Sequence, residues 1–295
     1  MTDAVLPSLV VLAGGLGTRF GGGKQIAELP KVGKTIMELS ILDAYRAGVR
    51  HVVLVINASV REVVESRILP RLPSDLQIDL AEQSIEAIPS RFATLVPNRK
   101  KPWGTGHALL CAKAFVSGNA IVITADDYYG PTAYLQLVEH FCSADHDTSN
   151  MAIVAYPLSQ TMSEVGGVNR GVCQLDNNTL VSVHEYTDIK HAESGFTGIH
   201  DKQFKSINEN ALASMTCWGV TQPLFAHLEY QFERFLESHD SDVKKEYYLP
   251  DCIQHMINLE QTIVRVYRSR DRWFGVTYKE EIDSVAGKIH ELRHG

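Results

Sequence analysis

Leu9-Val10-Val11-Leu12 is a continuous apolar run that passes through Ala13 into a loop holding six glycines in the ten positions from Gly14 to Gly23. A strand that is apolar without alternation must be covered on both faces, the pattern of a parallel strand inside an α/β protein. Residues 52–56, 120–124 and 151–156 repeat the pattern, and 76–80 repeat it more weakly. Helical spacing fills the gaps between these runs. Met37, Ile41 and Tyr45 follow the capping-box sequence Thr35-Ile36-Met37-Glu38 and stop at Gly48. Ala108, Leu109, Ala112 and Phe115 follow Gly104-Thr105-Gly106, and Thr132 stands where a cap would open a further helix. Strands alternating with helices predict an α/β fold of three layers around a mostly parallel central sheet. Ligands then gather outside the carboxyl ends of its strands.

Beyond about residue 157 the pattern becomes mixed. Residues 171–175 and 180–185 flank Asp176-Asn177-Asn178-Thr179, which reads as a hairpin. Residues 223–238 and 249–259 read as helices, 262–267 as a strand and 282–292 as a closing helix. No linker rich in Pro, Gly or Ser divides the halves, so residues 1–295 are expected to form one continuous domain.

Composition removes several functions. Lys+Arg 28 against Asp+Glu 35 leaves a net charge of −7, the wrong sign for a general binder of nucleic acid. A hydrophobic share of 44% with 21% charged residues is that of a packed protein, not a disordered one. No apolar run approaches the roughly 20 residues that span a bilayer, and residues 1–7 lack the basic and apolar character of a secretion signal. The five cysteines form no C-x-x-C pair, which speaks against a disulfide framework or a cysteine zinc site. A cytoplasmic protein, bound neither to membrane nor to nucleic acid, is expected.

The glycine loop points to phosphate. Glycine lets a ligand approach the backbone amides closely, consecutive amides form an anion-binding nest, and Arg19 and Lys24 add fixed positive charge. The spacing is neither that of the P-loop, because Gln25 follows Lys24, nor that of a dinucleotide-binding G-x-G-x-x-G, because Phe20 stands at the last position. A second glycine turn lies in Lys101-Pro102-Trp103-Gly104-Thr105-Gly106-His107-Ala108. A third candidate segment, Thr124-Ala125-Asp126-Asp127, ends an apolar strand with carboxylates suited to Mg²⁺.

Gly14-Gly15-Leu16-Gly17-Thr18-Arg19 followed by Lys24-Gln25 resembles the signature loop of the sugar-1-phosphate nucleotidyltransferases, which have a Rossmann-like, GT-A-like fold. Those enzymes join a nucleoside triphosphate to a sugar phosphate and release pyrophosphate. Gly-Thr-Gly-His-Ala from Gly104 is similar to the base-contacting turn of the N-acetylglucosamine-1-phosphate uridylyltransferase type, the nearest branch in motifs. The resemblance implies Arg19, Lys24 and Asp126 as catalytic residues, with Asp126 holding Mg²⁺. It implies Ala13, Gly14, Gly15, Gly17, Thr18, Gly104 and Thr105 as the nucleotide site, with UTP the first choice. His107 is expected to be a buried helix residue without a catalytic role.

On the acceptor side, Asn169-Arg170-Gly171-Val172 and Val183-His184-Glu185 resemble the family's Tyr-Gly-x-Val … Glu-Lys pattern. This implies Gly171 and Glu185 as acceptor contacts, with Tyr186 standing where the pattern has lysine. Met215-Thr216-Cys217-Trp218-Gly219 resembles the strand lining the sugar pocket, which implies Thr216. Trp273-Phe274-Gly275-Val276-Thr277 resembles the segment that supplies a second metal ligand, with Asp271 or Glu281 as substitutes for Thr277. By the same resemblance the nucleotide-binding half is residues 1–157 and the acceptor half is 158–295, in a self-associating enzyme. The short gap between Arg19 and Lys24 is closer to cytidylyl and guanylyl transferases with non-sugar acceptors. Thr277 and Tyr186 keep open a nucleotide-sugar sensor without turnover.

Overall fold

The computed structural model describes residues 6–15, 26–143, 149–163, 166–238, 243–276 and 281–294. In chain order the main elements are β1 (Ser8–Leu12), α1 (Ile36–Arg46), β2 (His51–Ile56), β3 (Gln77–Glu82), α2 (Thr105–Cys111), β4 (Ala120–Thr124) and α3 (Pro131–Cys142). They continue with β5 (Asn150–Pro157), β6 (Val168–Asp176), β7 (Thr179–His191), β8 (Phe196–His200), β9 (Gln203–Ile207) and β10 (Leu212–Val220). The chain closes with α4 (Pro223–Ser238), α5 (Leu249–Asn258), β11 (Ile263–Arg268) and α6 (Ile282–His294). These eleven strands join one sheet in the order β9-β8-β7-β11-β5-β10-β4-β1-β2-β3, and β6 pairs with both β7 and β10. The β4-β1-β2-β3 block is parallel throughout, as the continuous apolar runs predict. The antiparallel strand β10 sits between β4 and β5, so a strand from late in the sequence is inserted between two earlier ones.

Alternate residues of β1 feed opposite faces. Leu9 and Val11 pack with Met37 and Ile41 of α1 and Tyr134 and Leu137 of α3. Val10 and Leu12 pack with Leu109 of α2, Phe225 and Phe232 of α4, and Ile253 of α5. The predicted three layers are therefore present. A smaller cluster joins Val285, Ala286 and Ile289 of α6 to Ile36, Leu39 and Tyr128.

Helix α1 opens with the predicted capping box: the Glu38 amide donates to Thr35 Oγ1 at 3.1 Å and the Thr35 amide to Glu38 Oε2 at 2.7 Å. Thr132 is not the cap of α3. Gly130 holds that position, Pro131 begins the helix, and the Thr132 amide and hydroxyl both donate to Asp271 Oδ2 at 2.7 Å. The carboxylate cap comes from 139 residues away, beyond the reach of any local pattern. The hairpin at Asn177-Asn178 is present, with Asn177 at φ 53°, and the helices predicted at 223–238, 249–259 and 282–292 are α4, α5 and α6.

Candidate active site

Three strand ends bring the first two motifs together. The Ala13 amide donates to the Val55 carbonyl at 2.7 Å and the Ala125 amide to the Leu12 carbonyl at 3.1 Å. The chain therefore leaves β1 wedged between the ends of β2 and β4. Asn57, just past β2, donates from Nδ2 to the Gly14 carbonyl at 3.2 Å. A Cβ at Gly14 would lie 2.5 Å from Gln83 Oε1, so the Gln83 side chain packs directly against that glycine. Gln83, just past β3, donates from Nε2 to the Gly104 carbonyl at 3.0 Å. One buried amide thus joins the end of the first strand to the Gly-Thr-Gly turn. Ala13, Gly14, Gly15, Gly104 and Thr105 share this rim; Gly17, Thr18, Arg19 and Lys24 lie outside the described residues.

Gly104 has φ 107°, a conformation that L side chains rarely adopt, and a Cβ there would stand 2.4 Å from the Tyr247 carbonyl oxygen. The segment crossing the turn is bonded to it on both sides: the Tyr247 amide donates to the Trp103 carbonyl at 2.6 Å and the Gly106 amide to the Tyr247 carbonyl at 3.0 Å. Thr105 Oγ1 accepts from the Leu249 amide at 3.0 Å, which caps α5. The glycines of this turn therefore have a packing requirement independent of any base. His107 is a buried helix residue, as expected: Nε2 donates to the Ala87 carbonyl at 2.8 Å while Nδ1 faces Gln83 Nε2 at 3.4 Å. Burial is the main reason its pKa falls to about 4, so the ring is neutral.

Asp126 and Asp127 sit half-buried at the end of β4. Asp127 Oδ2 accepts from Thr124 Oγ1 at 2.9 Å, and Asp127 pairs with Gly275 in a two-stranded ladder formed by 127–128 and 274–275. The 273–276 segment thus runs beside Asp127, the neighbour of Asp126, while Thr277 lies outside the described residues. Of the two expected substitutes, Asp271 caps α3 through Oδ2, and half-buried Glu281 immediately precedes α6. Neighbouring carboxylates fit Mg²⁺, which takes oxygen donors and often only one or two from protein, with phosphate and water completing the shell. Among the described residues no group of three or more His, Cys, Asp and Glu side chains gathers for a metal, so a closed zinc-type cage is not built there.

Gly171 and Glu185 stand opposite each other across β6 and β7, and Gly171 also faces Ser214 of β10. Thr216 lies where β10 bulges between Ser214 and Trp218, at φ 59°. Its carbonyl accepts from the Tyr129 hydroxyl at 3.2 Å, and that hydroxyl lies 2.8 Å from Thr124 Oγ1. Buried Tyr129 therefore ties the Thr216 bulge to the strand end that carries Asp126. The carboxyl of Glu185 keeps an exposed edge, while the protein around it raises its pKa; Arg170 opposes that shift and Asp251 adds to it. Sequence reasoning missed Gln83 and left Arg170 without a role. A lone polar residue after a weak strand carries no motif, whereas an arginine beside Gly171 was visible.

A three-layer sheet with glycine turns and a carboxylate pair at its strand ends is the frame of an NTP-handling transferase. The sequence profile of the MobA-like NTP transferase domain matches residues 9–165, more than half of the chain. The protein belongs to that family and is a nucleotidyltransferase. The fold is similar to that of the inositol-1-phosphate CTP transferase from T. maritima, with a TM-score of 0.66, 14% identity, and coverage of 100% of this chain and 99% of that one. It is also similar to UDP-glucose pyrophosphorylase from Acinetobacter baumanii, with a TM-score of 0.60, 15% identity, and coverage of 98% and 95%. For a UDP-glucose pyrophosphorylase complexed with UDP-glucose the values are 0.59 and 15%, over 98% and 100% of the chains.

Proposed function

We propose that this enzyme transfers a nucleotidyl group, with UTP as donor, to a sugar 1-phosphate, releasing pyrophosphate and forming a nucleotide sugar. The observation that carries the reading is the Gln83 bridge, which sets Gly14 and Gly104 on the rim where Asp126 ends β4. The acceptor-side residues Gly171, Glu185 and Thr216 reach the same sheet from β6, β7 and β10. In this reading residues 1–157 bind nucleotide and 158–295 bind acceptor within one domain. Ala13, Gly14, Gly15, Gly17 and Thr18 wrap the triphosphate, while Gly104 and Thr105 meet the base. Arg19 and Lys24 offset the phosphate charge, and Asp126 holds Mg²⁺.

An oxygen of the acceptor phosphate attacks the α-phosphorus in line, the bond to the β-phosphate oxygen breaks, and pyrophosphate leaves with the electron pair. The nucleophile is already ionised, so no general base is required, and rate comes from positioning and charge. When bound, Mg²⁺ supplies further neutralisation of phosphate charge. The reading takes the enzyme as cytoplasmic and self-associating; no described helix is long and apolar enough to cross a membrane, and all five cysteines are free thiols.

The test is pyrophosphate release with Mg²⁺, pairing each NTP and dTTP with hexose, N-acetylhexosamine and inositol 1-phosphates. Release confined to UTP with a sugar phosphate is the expected outcome. Release confined to CTP or GTP with a non-sugar phosphate would establish the second reading, which the short Arg19-to-Lys24 gap favours. Lys24→Ala and Asp126→Ala are each expected to slow turnover on the order of 100-fold or more; a wild-type rate in either variant removes its assigned role.

A further inference from the structure

Arg170 is an unusual cation for its position. Most of its side chain is packed away, and burial lowers its pKa, against the opposing pull of Asp127 and then Glu185. Its guanidinium lies over the Trp273 ring, 5.1 Å from the centroid. The Trp273 ring in turn packs on Gly275: a Cβ at that glycine would stand 2.5 Å from the ring and 2.9 Å from Asp127 Oδ1. The stack of Arg170 on Trp273 therefore leans against the carboxylate pair at the end of β4.

The hydrogen bonds of the stack are incomplete. Arg170 Nη1 donates to the Asn169 carbonyl at 2.8 Å and Nη2 to the Thr161 carbonyl at 2.6 Å. Among the described residues neither Arg170 Nε nor Trp273 Nε1, both buried, finds a hydrogen-bond partner. A guanidinium has five N–H donors, and a buried donor left unmade costs about 1–3 kcal/mol, more for a charged group. Two neighbouring orphan donors, one of them cationic, call for an acceptor rich in oxygen and negative charge. Among the described residues no anionic side chain is hydrogen-bonded to Arg170, although two carboxylates act on it electrostatically.

We propose that Arg170, backed by Trp273, binds the phosphate of the acceptor and holds it against the Asp126–Asp127 end of β4. This rests on the nucleotidyl-transfer reading above and adds the residue that carries the acceptor's charge. Tyr186 stands directly across the β6–β7 ladder from Arg170, on the same face. A cation missing at 186 is thus supplied by the residue paired with it.

The experiment is steady-state kinetics with the nucleotide and sugar 1-phosphate that give turnover in the wild type, together with Arg170→Met, Trp273→Phe and the double variant Arg170→Met/Tyr186→Lys. Arg170→Met is expected to raise KM for the sugar phosphate roughly tenfold or more, as loss of a charge-assisted contact does, with KM for the nucleotide unchanged. Tyr186→Lys in that background is expected to recover part of the loss, because it returns a cation to the same face. Trp273→Phe keeps the stacked ring and removes the Nε1 donor, and a smaller rise in the same KM is expected. If Arg170→Met loses its cooperative melting transition, the Trp273→Phe result decides. An unchanged sugar-phosphate KM in the folded variants, or an equal rise for nucleotide, overturns the inference while leaving nucleotidyl transfer intact. A wild type that releases no pyrophosphate under any pairing overturns both.

Discussion

A neutral imidazole can donate from one nitrogen and accept at the other, and His107 uses both, toward the Ala87 carbonyl and Gln83 Nε2. The ring thereby steadies Gln83, which joins Gly14 to Gly104. Protonation would place a donor opposite the Gln83 amide and a charge in an apolar setting. With its pKa lowered from 6.5 to about 4, the folded protein resists a proton that the unfolded chain accepts. The group's stabilising contribution is therefore complete above about pH 6.5 and is lost as pH falls toward 4. The loss is about 3 kcal/mol from the linkage relation. His107→Gln preserves a donor for Ala87 and cannot titrate. Urea denaturation across that window is expected to show the wild type losing about 3 kcal/mol more than this variant; parallel stability curves would contradict it. At this scale the site was only half legible. Gly14, Asp126 and Gly171 belong to motifs that announce themselves, whereas Gln83 and Arg170 gain meaning from atoms 20 or more residues away.

Among the elements, α3 shows how a local reading misassigns a role. The sequence offers Thr132 as a cap and Asp271 as a reserve metal ligand, yet the Asp271 carboxylate accepts from the Thr132 amide and hydroxyl. Asp271→Ala is expected to destabilise the fold by roughly 1–2 kcal/mol, the usual cost of a lost helix cap. Well below its melting temperature, the variant is expected to keep its dependence on Mg²⁺ concentration. A shifted metal dependence with unchanged melting would instead make Asp271 a metal ligand. The buried parallel strands were readable because their apolar runs have no other stable arrangement. The hairpin of β8 and β9 was missed because its residues mix exposed Phe204 with polar neighbours and lack the apolar alternation of a half-buried strand. The place of β10 between β4 and β5 depends on long-range pairing that no local pattern records.

Across the whole molecule, α6 is tied back to α1 by residues 250 positions apart. Arg293 donates to both oxygens of Asp43, at 2.7 and 2.8 Å, and the Asp43 side chain is only 1% exposed. Arg46 also reaches Asp43 at 2.9 Å, but its side chain is 63% exposed. Arg293→Met therefore leaves a buried carboxylate with one loosely held partner. Breaking a buried pair from one side costs about 3–5 kcal/mol, and the remaining Arg46 contact favours the lower end of that range. Removing both charges, as in Asp43→Asn/Arg293→Met, is expected to recover much of the loss, because the cost lies in the abandoned charge and not in the missing bridge. The consequence reaches the active rim through Tyr128. Its hydroxyl lies 3.2 Å from Arg293 Nη1, it belongs to the α6 cluster, and it follows Asp127 in the ladder against residues 274–275. Arg293→Met is thus expected to lower turnover at temperatures where it remains folded, by loosening the ladder beside Asp126, and the double variant is expected to regain stability ahead of activity. Urea denaturation and pyrophosphate release on the same preparations measure both. Equal stability of the single and double variants would show that Asp43 does not depend on Arg293, and an unchanged rate in both would separate the α6 anchor from the site.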